Sequence, residues 1–143
     1  MTVLFAKILV ATDGSEKNRP AVDEALRIGR ICGSPVHAVY VADISALESA
    51  SGDVVISDAS WDLVQHEAAE ALAHVRDRAG GVNLVTATLE GKPAIEILRY
   101  AKENGIDLIV IGTQGKRGIE RLLLGSVAET IIRNAPCRVL VVK

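Results

Sequence analysis

Two glycines three positions apart, Gly112 and Gly115, are followed after nine residues by Gly125 and Ser126. An apolar run, Leu108 to Ile111, stands before this set, and a helical pattern starts at Ser126. Strand, glycine loop and helix start, in that order, are how α/β proteins hold phosphate groups. Glycine lets a main chain approach a ligand closely or take up positive φ. The helix start supplies N–H groups without intrahelical partners and the positive end of the macrodipole. The arrangement therefore points to a bound nucleotide.

Other phosphate and nucleophile motifs are excluded by spacing. A Walker A loop needs four residues between its glycines and Ser or Thr after the lysine, whereas only Thr113 and Gln114 separate Gly112 from Gly115 and Arg117 follows Lys116. A dinucleotide fingerprint would follow the first strand, where only Asp13, Gly14 and Ser15 stand. The hydrolase elbow, Gly-x-Ser-x-Gly, is missing because Ser126 is adjacent to Gly125.

These residues must be carried by a single domain, residues 1–143. The hydrophobic fraction is 49%, yet the aromatic residues are only Phe5, Tyr40, Trp61 and Tyr100. The core must be aliphatic, as for strands covered on both faces by helices. A net charge of −2 argues against a nucleic-acid footprint. No apolar stretch approaches the ~20 residues of a membrane span. The apolar start is split by Lys7 and lacks a cleavage pattern, so a first strand and a cytoplasmic protein are expected. Cys32 and Cys137 are far apart in sequence and read as reduced structural thiols.

Periodicity predicts strands at 3–12, 35–41, 83–89, 107–111 and 138–142. Helices are expected from about Ser15, or as late as Asn18, to Gly33; from an Asp58 cap to about Ala79; from Pro93 to Asn104; and from Gly125 to Asn134. Trp61, Val64, Ala68, Ala71 and Val75 form one stripe of the second helix. Residues 42–57 make a long polar connection. Alternating strands and helices imply a five-stranded, parallel, doubly wound open sheet with its ligand beyond the strand ends at a topological switch point. Asp13 and Gly112 both fall at strand ends. Neighbouring first and fourth strands would bring their loops to one crevice.

The motif G-x2-G-x9-G-[ST] is met by Gly112, Gly115, Gly125 and Ser126, and further segments match in order: Ile8–Ser15, Asp107–Thr113, Arg121–Glu129 and Ala135–Val142. Over essentially its whole length the chain resembles the universal stress protein family, in its ATP-binding branch. The resemblance implies a Rossmann-like fold of the adenine nucleotide alpha hydrolase-like (HUP) type, ATP as ligand and a homodimer. It implies a nucleotide-binding set of Thr12, Asp13, Val41, Gly112, Gln114, Gly115, Gly125, Ser126 and Val127. Gly112 and Gly115 would lie against ribose and phosphate, Gly125 and Ser126 would hold outer phosphates, Val41 would hold adenine, and Thr12 and Asp13 would touch the nucleotide. A carboxylate beside a triphosphate repels it unless Asp13 bonds ribose hydroxyls or helps hold Mg²⁺ or Mn²⁺. Gln114 departs from the His that members often carry, and Gln cannot titrate near neutrality.

Plainer roles stand beside these. Asp13 or Ser126 suits a helix cap as well as a ligand contact. Val41 suits the core in either case. Lys116, Arg117 and Arg121 suit solvated loop charges as well as phosphate partners. His66 and His74 are eight apart, not the four of a helical metal pair, and His37 is expected to face a helix or solvent. The leading functional reading is an ATP-binding regulatory or stress-response protein, since neither a general base nor a His-paired nucleophile is evident. A slow ATPase with a metal at Asp13 is the second, and a nucleotide-free dimeric interaction module the third. The apolar last strand, Val139 to Val142, would pair with its copy if it lies at the sheet edge.

Overall fold

The computed structural model describes residues 3–43, 58–113 and 124–143. Gln114, Gly115, Lys116, Arg117 and Arg121 lie outside the described residues, as does most of the 42–57 connection. The elements are β1 (Ile8–Ala11), a 3-10 turn (Glu16–Asn18), α1 (Arg19–Cys32), β2 (Val36–Ala42), α2 (Asp58–Arg78), β3 (Leu84–Glu90), α3 (Pro93–Glu103), β4 (Leu108–Gly112), α4 (Ser126–Asn134) and β5 (Arg138–Val142). The sheet has the order β3-β2-β1-β4-β5, and every pairing is parallel.

Alternate residues of the central strands feed two cores. Ile8, Val10, Ala38 and Val110 pack with Ala25 and Leu26 of α1 and Ala71 and Val75 of α2. Leu9, Val39, Ile109 and Ile111 pack with Ile97 and Ala101 of α3 and Ala128 and Ile131 of α4. Small and aliphatic side chains let the helices lie close on both faces, and the near-continuous apolar strands follow from burial on both sides. In α2 the buried residues are Ala68, Ala71, Leu72 and Val75, all in its second half, while Trp61 and Val64 are half-buried.

Two expected boundaries shift. The first strand spans 8–11 instead of 3–12 because Asp107 takes over the preceding backbone. Its carboxylate accepts the N–H groups of Ala6 at 2.7 Å and Lys7 at 3.0 Å, which bond a side chain in place of a ladder. The first helix begins at Arg19, after the 3-10 turn, with Pro20 in its first turn. It stops at Gly33, where φ is 65° and the left-handed region suits glycine.

Candidate functional site at the carboxyl edge of the sheet

β1 lies between β2 and β4, so the chain leaves β1 toward one side and reaches β4 from the other. That is the switch point at which open α/β sheets bind ligands. Pairing of β1 with β4 runs from Ile8↔Leu108 to Val10↔Val110 and goes no further. Continued, the same register would set Thr12 across from Gly112. The two strands are not paired there, so the sheet is open at this end between the turn after β1 and the end of β4.

One wall is the turn from Thr12 to Ser15. Thr12 is buried; its N–H donates to Val39 O at 2.9 Å, and its Oγ1 accepts the Gly14 N–H at 3.2 Å. Asp13 Oδ1 accepts two bonds from Ser15, from N–H at 2.8 Å and from Oγ at 2.6 Å. Asp13 does not cap the first helix, since Ser15 and Asn18 hold the cap positions; its Oδ1 braces the turn instead, with Oδ2 left over. Gly14 has φ +79°, and a Cβ there would lie 3.1 Å from the Cβ of Ala71, so the turn sits directly on α2. Neither Ser15 nor Asn18 spends its side chain on capping the helix it precedes. Ser15 turns back to Asp13, and Asn18 Nδ2 donates to Ala11 O at 3.1 Å, leaving its buried Oδ1 without a partner.

The opposite wall is the start of α4. Gly125 is its N-cap, with φ −65° and ψ 160°, and the first intrahelical bond runs from Glu129 N–H to Gly125 O at 3.0 Å. Ser126 is therefore the first helical residue and not the cap. The plain-cap alternative for Ser126 is corrected: the extended backbone typical of an N-cap belongs here to Gly125, and Ser126 is already helical. The Gly125 N–H donates to Thr113 O at 2.8 Å, which draws the glycine end of β4 and the helix start together. By helix geometry the N–H groups of Ser126, Val127 and Ala128 lack acceptors four residues back. The Val127 side chain is 38% exposed.

Val41 is the penultimate residue of β2, opposite Leu89, and packs against the core on the α3–α4 side. Thus Thr12, Asp13, Gly112, Gly125, Ser126 and Val127 flank the switch point, and Val41 stands one strand away from it. Tyr40 points to the other face, where its hydroxyl donates to Glu67 Oε2 at 3.5 Å. Burial chiefly, with help from the Glu67 and Asp13 carboxylates, raises the pKa of that phenol above its usual value. A cleft of about 300 Å³ beside the turn is lined by Thr12, Gly14, Ser15, Asn18, Ala71 and His74, among others. A larger groove, about 500 Å³, lies away from the predicted residues, around the Asp23–Arg78 ion pair.

His37 faces α3, as expected, and shares a 2.7 Å hydrogen bond with Tyr100 Oη. Among the described residues no group of three or more His, Cys, Asp or Glu could hold a metal ion. Asp13 can offer a cation one oxygen, which fits an ion held mainly by ligand phosphates and not one caged by protein. Sequence reasoning passed over Ser15, Asn18 and Tyr40. The first two carried a signal, since side chains of cap type stand directly after a strand end.

An all-parallel five-stranded sheet opened at β1 and β4 defines a Rossmann-like α/β protein. The universal stress protein family model matches residues 4–143, and the chain belongs to that family. It is 43% identical over 146 residues to universal stress protein MJ0531 of Methanocaldococcus jannaschii, covering 98% of this chain and 83% of that one. Universal stress protein UspA from Lactobacillus plantarum superposes with a TM-score of 0.83 at 31% identity, covering 99% and 100% of the two chains. Two more distant structures share the fold: a universal stress protein in complex with cAMP and the Archaeoglobus fulgidus protein in complex with dAMP. Their TM-scores are 0.70 and 0.69 at 24% and 22% identity, covering 99% and 98% of this chain and 98% and 99% of theirs.

Proposed function

We propose that this chain binds an adenine nucleotide, ATP in the first instance, in the opening between β1 and β4, and acts by regulation and not by rapid turnover. The end of β1–β4 pairing at Val10↔Val110, with the start of α4 tied to the end of β4 by the Gly125–Thr113 bond, is the observation that carries this reading. The Ser126, Val127 and Ala128 N–H groups and the α4 dipole suit phosphate oxygens. Gly112 and Gly125 leave room for them, with Gln114 and Gly115 completing the loop. Val41 supplies an apolar contact for the base. Mg²⁺ or Mn²⁺ would be held by phosphate oxygens, and the one free oxygen of Asp13 serves either that ion or a ribose hydroxyl. The cAMP and dAMP bound by two proteins of the same fold support the adenine nucleotide class. The protein works as a homodimer through β5, whose apolar residues Val139 to Val142 stay partly exposed at the sheet edge.

Melting with and without Mg·ATP tests the ligand. At one hundred times Kd, binding stabilises by roughly 2.7 kcal/mol, or about 2–4 °C or more. Gly125→Val removes that shift while the protein still melts cooperatively, because φ −65° with ψ 160° is backbone that valine readily adopts. A full shift in Gly125→Val, or none in the unaltered protein, rejects the site.

A further inference from the structure

We propose that Ser15 is a positioning residue: it locks the Asp13 carboxylate so that Oδ2 is presented as a hydroxyl acceptor, and so sets a preference for ribose over deoxyribose. This rests on the nucleotide reading above and adds a specificity determinant to it.

A serine at the start of a helical turn ordinarily turns its oxygen toward the N–H groups of that turn. Ser15 occupies that place, with φ −79° and ψ 158°, yet makes no side-chain cap. Its hydroxyl donates backwards, to Asp13 Oδ1 at 2.6 Å, and its own N–H reaches the same oxygen at 2.8 Å. Two donors on one carboxylate oxygen fix both rotamer and plane. All of the hydrogen-bonding capacity left to Asp13 is then on Oδ2.

The turn cannot swing to relieve this arrangement. Gly14 lies so close to α2 that a Cβ would meet the Ala71 Cβ at 3.1 Å, and Thr12 is tied to Val39 and Gly14. Asn18 fastens the following turn to Ala11 O. The carboxylate is thus preorganised at the end of β1, where the switch point opens, and the cost of ordering it is met before any ligand arrives. An anionic oxygen held there attracts donors and repels phosphate. Sugar hydroxyls are the donors that a nucleotide carries beside its phosphates.

Calorimetric titration of the full chain with Mg·ATP and with its 2′,3′-dideoxy analogue tests this, in the unaltered protein and in Ser15→Ala and Ser15→Thr. A charge-assisted hydrogen bond predicts that the unaltered protein prefers ATP by at least about tenfold. Ser15→Ala, which keeps the main-chain bond and the fold, brings the ratio within about twofold while leaving the dideoxy affinity in place. Ser15→Thr, which keeps the hydroxyl, preserves the preference. A ratio unchanged in Ser15→Ala, or equal losses for both ligands, overturns the positioning role and leaves nucleotide binding standing. Equal binding of both ligands by the unaltered protein does the same. No binding of either ligand overturns both readings.

Discussion

Gly14 shows how tightly individual residues are held at the carboxyl edge. Its φ of +79° is costly for any residue with a Cβ, and that Cβ would press on Ala71 at 3.1 Å. Gly14→Ala should destabilise the protein by roughly 1–2 kcal/mol or more in urea unfolding, from backbone strain before any clash is added. His37 gives a pH dependence. Burial, followed by the charge of Lys7, lowers its pKa from 6.5 in the folded state. The folded state thus favours neutral imidazole. The stabilisation is complete above about pH 6.5 and is lost as pH falls from there through the lower folded value. Melting temperature should decline over that acid range, with a shallower slope in His37→Gln. An equal slope in both would place the acid sensitivity elsewhere.

The elements were readable to different degrees, and physical reasons separate them. Apolar periodicity disclosed every strand and α-helix among the described residues because both faces of the sheet are covered. The boundaries moved where side chains replaced main-chain partners. Asp107 intercepts the backbone before Ile8, and no periodicity registers that exchange. At α4 the spacing located the helix, but not which of Gly125 and Ser126 caps it. Backbone angles decide that question, and glycine and serine both tolerate a cap. The stripe from Trp61 to Val75 is fully buried only from Ala68 onward, with Val64 partly buried against the same core. Asp13 was readable as either helix cap or ligand contact. Only its geometry with Ser15 shows how one oxygen serves the brace and frees the other. An element-scale consequence follows for α4: Thr113 O and the Gly125 N–H hold its start against β4 at 2.8 Å. Adding nucleotide should therefore slow amide hydrogen exchange at the first turn of α4 before it slows that of α3. Equal slowing in the two helices would mean a global effect and not binding at this end.

At the scale of the whole molecule, β3 and β5 are the sheet's two edges. The proposed self-pairing through β5 predicts that Val141→Lys shifts sedimentation toward monomer. Val141 also packs toward the α3–α4 core, so a cooperative melt is the control that separates lost pairing from lost fold. The strand order has a consequence for synthesis on the ribosome. β1 is made first yet occupies the centre, and one flank stays bare until β4 arrives about a hundred residues later, as the 101-residue separation of Ala6 from Asp107 records. Closing so long a loop is slow, and an uncovered central strand is adhesive meanwhile. The proposed ligand opening comes into being with that closure, so a nascent or truncated chain lacking β4 should show no nucleotide binding and a strong tendency to aggregate.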